Sequence, residues 1–251
     1  MLCTRRRKQQ QKRAARQDSA NMRELRQMAS KMTAEFLGTF IIVFMGCGSI
    51  MVVERFPGSL SPSAIPMIFG LTVAAMIYAV GHLSGAHFNP AVTLAFALGR
   101  HFPRRHVVLY WLAQFGGAVA ASALLSITLP HGTGFGATVS PLGNFDAFVW
   151  EALLTFIMMF VVIAVATDTR AVGTMAGAAI GAIITVEAFV AGPVTGASMN
   201  PARSLAPALF QGQLATWWVY ALGPAVGAVA AVFVYNAIRQ DQTISKNEVV
   251  Q

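Results

Sequence analysis

Apolar residues fall in long blocks along this chain, and polar residues are largely confined to the short stretches between them. Six blocks are long enough to cross about 30 Å of hydrocarbon as helices. They lie at about 32–53, 65–80, 107–129, 147–167, 172–191 and 216–237. The pattern predicts an all-α membrane protein with six transmembrane helices. The composition, 55% hydrophobic and only 11% charged residues, is also typical of a membrane protein.

Two further apolar runs, at about 90–98 and 201–210, are too short to cross a membrane. Each begins within an Asn-Pro-Ala tripeptide, Asn89-Pro90-Ala91 in the first case and Asn200-Pro201-Ala202 in the second. Asn is a favoured helix N-cap, and Pro is favoured at the first helical position. Each run is therefore predicted to be a re-entrant half-helix. Irregular backbone at membrane depth is tolerated where it lines a polar cavity, so the tripeptides are predicted to face a pore.

The two halves of the chain resemble each other. An acid, a Leu, a Thr and a Phe-Ile pair recur at the same spacing around Glu35 and Glu151, which are 116 residues apart, while Asn89 and Asn200 are 111 apart. Three spans per half is an odd number, so the second half must enter from the opposite face of the membrane. The sequence thus predicts a channel domain at 32–238, built as an inverted repeat of 32–129 and 147–238.

The net charge of +8 reflects a basic N-terminal tail, because ten of the 18 Lys and Arg residues precede the first span. This tail, 1–31, is predicted to be disordered and cytoplasmic, and 239–251 is predicted to be a second cytoplasmic tail. With that orientation, six further basic residues also fall inside: Arg100, Arg104, Arg105, Arg170, Arg239 and Lys246. The positive-inside rule then places both termini in the cytoplasm, in a plasma membrane or a bacterial inner membrane.

Other functions receive less support from the sequence. The basic tail suits contact with anionic lipid better than nucleic-acid binding. Cys3 and Cys47 are the only cysteines, so neither a disulfide framework nor a cysteine metal site is indicated, and no metal or cofactor is predicted. An enzyme is not predicted either, because no nucleophile, base and orienting group can be recognised together.

The residues around the two tripeptides identify a family. The segments 81–93 and 192–204, each with a Gly-Ala pair ahead of Asn-Pro-Ala, closely resemble the signature loops of the aquaporin, or major intrinsic protein, family. The resemblance covers about 33–237 and implies a homotetramer with one pore per subunit. Segments 167–173 and 191–194 are similar to the nodulin-like intrinsic proteins and their bacterial relatives. Ser204 and Ala208 depart from the Asp and Lys of glycerol facilitators, and Tyr220-Ala221 departs from a pair common in water channels.

The family resemblance and helix electrostatics together predict how the pore works. The N-termini of the half-helices carry partial positive charge, and the amides of Asn89 and Asn200 add donors that face the lumen. Cations and proton hopping are opposed there, whereas a neutral solute can offer oxygen lone pairs. A ladder of backbone carbonyls is expected along the wall, from Gly85, Ala86, His87 and Phe88 and from Gly196, Ala197, Ser198 and Met199.

The resemblance also places an outer selectivity filter at Phe69, Ala188, Ala197 and Arg203. An arginine within the membrane is costly unless it faces water and is held by carbonyls. Water-selective relatives carry His at the second filter position and a small polar residue at the third, where this chain has alanine twice. The wider, less polar filter predicts a passive channel for water and small uncharged solutes: glycerol, urea and undissociated metalloid acids such as boric or arsenous acid.

Three alternatives remain open at this point. A strictly water-selective aquaporin is the nearest. An ion-coupled secondary transporter can also be built from inverted repeats and broken helices, although Arg203 is the only lumen charge assigned here and no carboxylate cluster accompanies it. A junction or scaffold protein with a closed pore is the third, and it would show no permeability.

Several other polar residues lie at membrane depth. Glu35 and Glu151 are predicted to brace the signature loops by accepting backbone N–H groups, in preference to serving as a proton relay. His82 and His87 are predicted to be hydrogen-bonded loop residues, with gating by protonation of His82 as the alternative. Glu187, next to the filter position Ala188, has no assigned role.

Overall fold

The computed structural model describes residues 2–129, 134–168, 171 and 173–239, with side chains described from Asp18 onward. Over these residues the chain forms eight α-helices, with a 3₁₀ turn before the fourth (Arg104–His106) and before the sixth (Gly173–Met175). The helices are α1 Leu2–Arg55, α2 Ala64–Ser84, α3 Pro90–Leu98, α4 Val107–Thr128, α5 Asn144–Thr167, α6 Ala176–Thr195, α7 Pro201–Gln211 and α8 Trp217–Ile238. Six of them, all except α3 and α7, are long and apolar enough to cross a membrane, which confirms the predicted fold class.

The half-helices α3 and α7 begin where the sequence predicts. Each starts at the proline of an Asn-Pro-Ala tripeptide, with Asn89 or Asn200 as its N-cap in extended backbone conformation. With nine and eleven residues, they extend only about 14–17 Å, roughly half the hydrocarbon thickness. Both therefore enter the membrane region without crossing it.

The helices pack as two related halves, α1–α4 and α5–α8. In each half the first helix packs against the second and the fourth, so α1 contacts α2 and α4 as α5 contacts α6 and α8. The half-helices are exchanged: α3 packs on α8 of the other half, and α7 packs on α4. The α2–α6 contact joins the halves. This arrangement is the predicted inverted repeat, and it brings the N-termini of α3 and α7 together at its centre.

Matching glycines allow the closest helix crossings. A Cβ atom on Gly117 of α4 would collide with the backbone of α1 at Phe36, and one on Gly227 of α8 would collide with the backbone of α5 at Ala152. Phe36 and Ala152 are equivalent in the repeat. Small residues let helix backbones approach closely in membrane bundles, so these glycines fix the same crossing in both halves.

Two helix ends differ from the hydropathy pattern. Helices α2 and α6 each run four residues beyond the predicted ends at 80 and 191, to Ser84 and Thr195. They end at Gly85 (φ 90°) and Gly196 (φ 83°), because the left-handed conformation of a glycine ends a helix at little steric cost. Helix α6 also begins at Ala176 rather than 172, since the 3₁₀ turn precedes it.

The N-terminal tail differs from the disordered arm that the sequence predicts for 1–31. Helix α1 continues through it from Leu2, and the described side chains between Asp18 and Ser30 are mostly exposed. The segment contains no Gly or Pro before Gly38 and is rich in Arg, Gln, Lys and Ala, which are good helix formers. A helix started in the membrane span can therefore propagate into it. Apart from Arg239, the C-terminal tail predicted at 239–251 lies outside the described residues.

Candidate pore

Asn89 and Asn200 cap their own half-helices in the same way. The side-chain oxygen of Asn89 accepts the N–H of Ala91 at 2.9 Å. That of Asn200 accepts the N–H of Ala202 at 3.0 Å and of Arg203 at 3.3 Å. These bonds satisfy N–H groups that have no partner within the helix, and they fix which way each amide nitrogen points.

The two amide nitrogens then join the halves. Asn89 Nδ2 donates to the carbonyl oxygen of Met199 at 2.7 Å, and Asn200 Nδ2 donates to the carbonyl oxygen of Phe88 at 2.9 Å. An amide nitrogen carries two hydrogens, so each asparagine keeps a second N–H beyond this bond. Both asparagines line a central cavity of about 80 Å³. The structure therefore brings the two asparagines together at one central cavity.

The loops that precede the asparagines share an unusual backbone. Non-glycine residues adopt left-handed conformations at matching positions, Ala86 (φ 51°) and Phe88 (φ 48°) in the first loop and Ala197 (φ 44°) and Met199 (φ 52°) in the second. Such conformations cost about 1–3 kcal/mol each and persist only where the surroundings enforce them. The enforcing contacts come from the two buried acids.

Glu35 lies beneath the first loop and accepts four hydrogen bonds. Its Oε1 atom accepts from the Ser84 hydroxyl at 2.7 Å and from the His87 N–H at 3.0 Å. Its Oε2 atom accepts from the Phe88 N–H at 2.7 Å and from Gln114 Nε2 at 2.8 Å. The carboxylate is fully buried, and all four partners are donors.

Glu151 lies in the same position beneath the second loop and accepts three bonds. They come from the Thr195 hydroxyl at 2.7 Å, the Ser198 N–H at 3.0 Å and the Met199 N–H at 2.8 Å. The partner that corresponds to Gln114 is absent, because α8 has Pro224 at that position of the repeat. The second half therefore holds its loop with one donor fewer.

Two tyrosines, whose supporting role the sequence did not predict, complete the loop supports. Tyr110 of α4 donates to the carbonyl oxygen of Ser84 at 2.7 Å, and Tyr220 of α8 donates to that of Thr195 at 3.0 Å. Both tyrosines are buried, and they are 110 residues apart. Their recurrence at nearly the repeat offset is the signal that could have identified them.

Three cavities follow one another through the molecule. On the side of the chain termini, a cavity of about 310 Å³ is lined by His82, Gly85 and the α5–α6 connection at Thr174. It shares lining residues with the central cavity, which in turn shares residues with one of about 530 Å³ on the opposite side, near Pro62. The three cavities thus form a succession in which each shares wall residues with the next.

The residues predicted as a carbonyl ladder lie along these cavities. Ala86, His87 and Phe88 line the central cavity, as do Ala197, Ser198 and Met199, while Gly85 lines the cavity on the termini side and Gly196 the opposite one. The carbonyls of Phe88 and Met199 each accept one bond from the asparagine of the other half. Each retains a second lone pair.

The four residues predicted as a filter are brought together. Phe69, Ala188, Ala197 and Arg203 all line both the central cavity and the larger cavity on the side away from the termini, so they form the neck between the two. Arg203 is only 4% exposed. Its Nη1 atom donates to the carbonyl oxygen of Gly136 at 2.8 Å, and its guanidinium carbon lies 5.1 Å from the centre of the Phe69 ring, within cation–π range.

The polar groups behind the two loops differ. In the first half, His87 Nδ1 is 3.0 Å from the Thr93 hydroxyl, and its ring packs among Phe96, Phe102 and Tyr110. In the second half, a chain of hydroxyls links Thr138, Ser204 and Ser198, with 2.8 Å between the first two and 2.5 Å between the last two. His87 is thus a hydrogen-bonded loop residue.

Glu187 of α6 has no counterpart in the first half, where Met76 occupies the equivalent position. It is 4% exposed, and neither carboxylate oxygen has a hydrogen-bond partner among the described residues. A buried acid without a partner is energetically costly. The structure thus adds burial and the lack of a hydrogen-bond partner among the described residues to what the sequence shows of Glu187.

A sequence model of the family described as Major intrinsic protein matches residues 22–235. Nodulin-26 of Glycine max is 46% identical over 83% of this chain and 78% of its own length. Putative aquaporin NIP4-1 of Arabidopsis thaliana is 47% identical over 84% and 75%. Aquaporin NIP1-1 of Oryza sativa subsp. japonica is 46% identical over 83% and 74%. These relatives confirm the resemblance to the nodulin-like branch.

The fold has a solved counterpart. The X-ray structure of the aquaglyceroporin from Plasmodium falciparum superposes with a TM-score of 0.76 at 25% identity, over 84% of this chain and 96% of that one. Sequence match, fold and paired Asn-Pro-Ala loops therefore agree. The chain belongs to the major intrinsic protein family, and it forms a membrane channel for water and small solutes, not an enzyme.

Proposed function

We propose that this channel passively conducts water together with small uncharged solutes, namely glycerol, urea and undissociated metalloid acids such as boric or arsenous acid, and that it excludes ions and protons. The observation that carries the proposal is the chemistry of the neck. One guanidinium faces one aromatic ring and two alanine methyl groups there, with no imidazole to narrow the passage. Phe69, Ala188, Ala197 and Arg203 then act as the selectivity filter.

The neck suits a molecule with one polar and one apolar face. A guanidinium carries five N–H donors in a fixed fork, and the bond to Gly136 uses one of them. The remaining donors can bind the hydroxyls of a polyol or of boric acid. The carbon or central-atom face can lie against Phe69 and the methyl groups of Ala188 and Ala197. These hydrogen bonds replace part of the solute's hydration shell while it passes the neck.

Ions are refused deeper in the pore. The N-termini of α3 and α7 meet at the central cavity, where each half-helix contributes partial positive charge and each capping asparagine a free N–H. A neutral oxygen accepts these donors, whereas a cation meets a positive barrier and cannot recover its hydration energy. The loop carbonyls supply acceptors on the same path, and Glu35 and Glu151 act as the braces that hold those carbonyls in place.

The membrane arrangement follows from charge and from resemblance. Ten Lys and Arg residues precede the first span, so the positive-inside rule supports cytoplasmic termini in a plasma or bacterial inner membrane. The basic arm at 1–31 then lies against anionic lipid. Family resemblance supports a homotetramer with one pore in each subunit.

Reconstituted flux tests the proposal. The purified protein is placed in liposomes, and light scattering is recorded after osmotic shifts with water alone, glycerol, urea and boric acid, beside a potassium and a proton leak assay. We expect water and neutral-solute fluxes well above empty vesicles, with no ion leak. Water flux without any solute flux would contradict the solute class and favour a strictly water-selective pore. Saturating, proton-driven flux would favour a transporter, and no flux at all a closed scaffold.

A further inference from the structure

The ring of Phe69, which forms one wall of the neck, rests directly on a glycine of α1. A Cβ atom built on Gly46 would collide with Phe69 Cε1, Cζ and Cδ1, the last at 2.6 Å. Real Cβ atoms essentially never come this close to a ring carbon, so the ring can occupy its place only because residue 46 has no side chain. Gly46 itself is absent from the described residues that line the neck cavities.

The next residue of α1 supports the opposite wall. A Cβ atom on Gly136 would lie 2.7 Å from Cys47 Cβ, so the connection between α4 and α5 is pressed against α1 at this point. The Cys47 thiol lies 3.7 Å from the carbonyl oxygen of Gly136, and that oxygen holds Arg203. Two consecutive residues of α1 thus support Phe69 and Arg203, which in turn contact each other.

The second half shows that this contact between a ring and a glycine is specific to α1. The residues equivalent to Gly46 and Phe69 are Val162 and Ile180, which belong to one apolar cluster. In the first half the ring of Phe69 thus lies against a glycine. In the second half two branched aliphatic side chains, Val162 and Ile180, belong to one cluster. The absent side chain at Gly46 is therefore matched to the ring at Phe69.

We propose that Gly46 is a specificity-determining residue of the channel: a positioning residue that never touches the solute but sets the width of the neck through the place it gives Phe69. Adding one methyl group at residue 46 displaces the ring from α1 toward Arg203 and the lumen. The neck narrows as a result. Large solutes are then affected more than water, because water is the smallest permeant. The solute readout rests on the proposed function of the channel.

The test compares Gly46→Ala with Gly48→Ala in proteoliposomes that contain equal amounts of protein. Gly48 lies two residues along the same helix, and its added Cβ would meet a Leu125 methyl carbon at 3.2 Å, with no contact to Phe69. We expect Gly46→Ala to lower the ratio of glycerol to water permeability about tenfold, because the displaced ring obstructs glycerol more than water; this corresponds to about 1.4 kcal/mol in the relative barrier. Gly48→Ala should keep the ratio of the natural protein.

A double variant separates an effect on the position of the Phe69 ring from a general loss of folded protein. In Phe69→Ala every atom that the added Cβ would meet is gone, so adding Gly46→Ala should change neither the ratio nor the yield of folded protein, even if Gly46→Ala alone folds poorly. Equal permeability ratios in Gly46→Ala and the natural protein would overturn the inference, as would an undiminished effect of Gly46→Ala in the Phe69→Ala background. If the natural protein passes only water, the proposed solute class fails. The same comparison then applies to water permeability per channel.

Discussion

The two halves of this channel reach one backbone geometry with different side chains. Both loops place non-glycine residues in left-handed conformations at the same positions, and both donate backbone hydrogen bonds to a buried glutamate. Behind them, the first half uses His87, Thr93 and Gln114, and the second uses a chain of hydroxyls. The two halves therefore share the loop backbone and its glutamate and tyrosine supports, and they differ in the polar side chains that lie behind these supports.

The α1 and α5 faces behind the pore make the same point about volume. Glycines at 38 and 46 of α1 accommodate the rings of Phe88 and Phe69, whereas α5 carries Leu154 and Val162 at those positions. The residues that face them in the second half are aliphatic, Met199 and Ile180. Because protein interiors are close-packed, each ring of the first half needs a facing residue without a side chain, whereas the smaller side chains of the second half each face another side chain.

The largest expected effect comes from the loop braces. Glu35→Gln replaces a carboxylate, which only accepts hydrogen bonds, with an amide. In either orientation the amide N–H₂ then faces at least one backbone N–H, so two donors oppose each other. Glu151→Gln does the same in the other half. We expect each to cost about 2–3 kcal/mol, since a buried polar group loses its partner, and Glu35→Gln to cost more because Glu35 holds four bonds and Glu151 three.

Thermal unfolding in detergent, followed by size-exclusion fluorescence, measures this difference. A loss of about 5 °C or more is expected for both variants. Glu54→Gln is the matched control, because Glu54 also lies on α1 and accepts a backbone N–H, from Gly134, but is exposed. Equal stability of Glu35→Gln and Glu54→Gln would show that the buried carboxylate does not brace the loop.

An intermediate effect is expected from transplanting one half's packing into the other. Met199→Phe should overfill the second half, and Leu154→Gly should leave a cavity in it, each at a cost of about 1–3 kcal/mol or more. The double variant recreates the Phe88–Gly38 pairing and should recover about 1–2 kcal/mol relative to the sum of the single changes. Strictly additive melting shifts would mean that the two positions are not a matched pair.

The smallest effect concerns the unmatched acid. Glu187→Met installs the residue that the first half carries at Met76, and it removes carboxylate oxygens that have no partner among the described residues. We expect no loss of stability, and a gain of up to about 1 kcal/mol, because a buried polar group without a hydrogen bond is unfavourable. A clear fall in melting temperature would show that Glu187 has a partner that stabilises the fold.

The sequence predicts what depends on local pattern and repetition. Six apolar blocks, two capped half-helices and the repeat offsets predict the fold. The signature loops predict the paired asparagines, and the family resemblance predicts the four residues of the neck. Hydropathy misplaces the ends of α2 and α6, because Gly85 and Gly196, and not loss of apolar character, end those helices. The exchange of Asn89 and Asn200 amide bonds joins residues about 110 apart, and the contact at Gly46 depends on a ring from another helix, so both require the packed structure.

We propose that the neck at Phe69, Ala188, Ala197 and Arg203 decides which solutes pass, whereas the asparagines do not. The most direct measurement is the ratio of glycerol to water permeability in proteoliposomes for the natural protein and for Ala188→His. The added imidazole narrows the neck and adds a polar group, so the ratio should fall steeply while water flux persists. An unchanged ratio in Ala188→His, with both proteins folded and equally reconstituted, would contradict the claim.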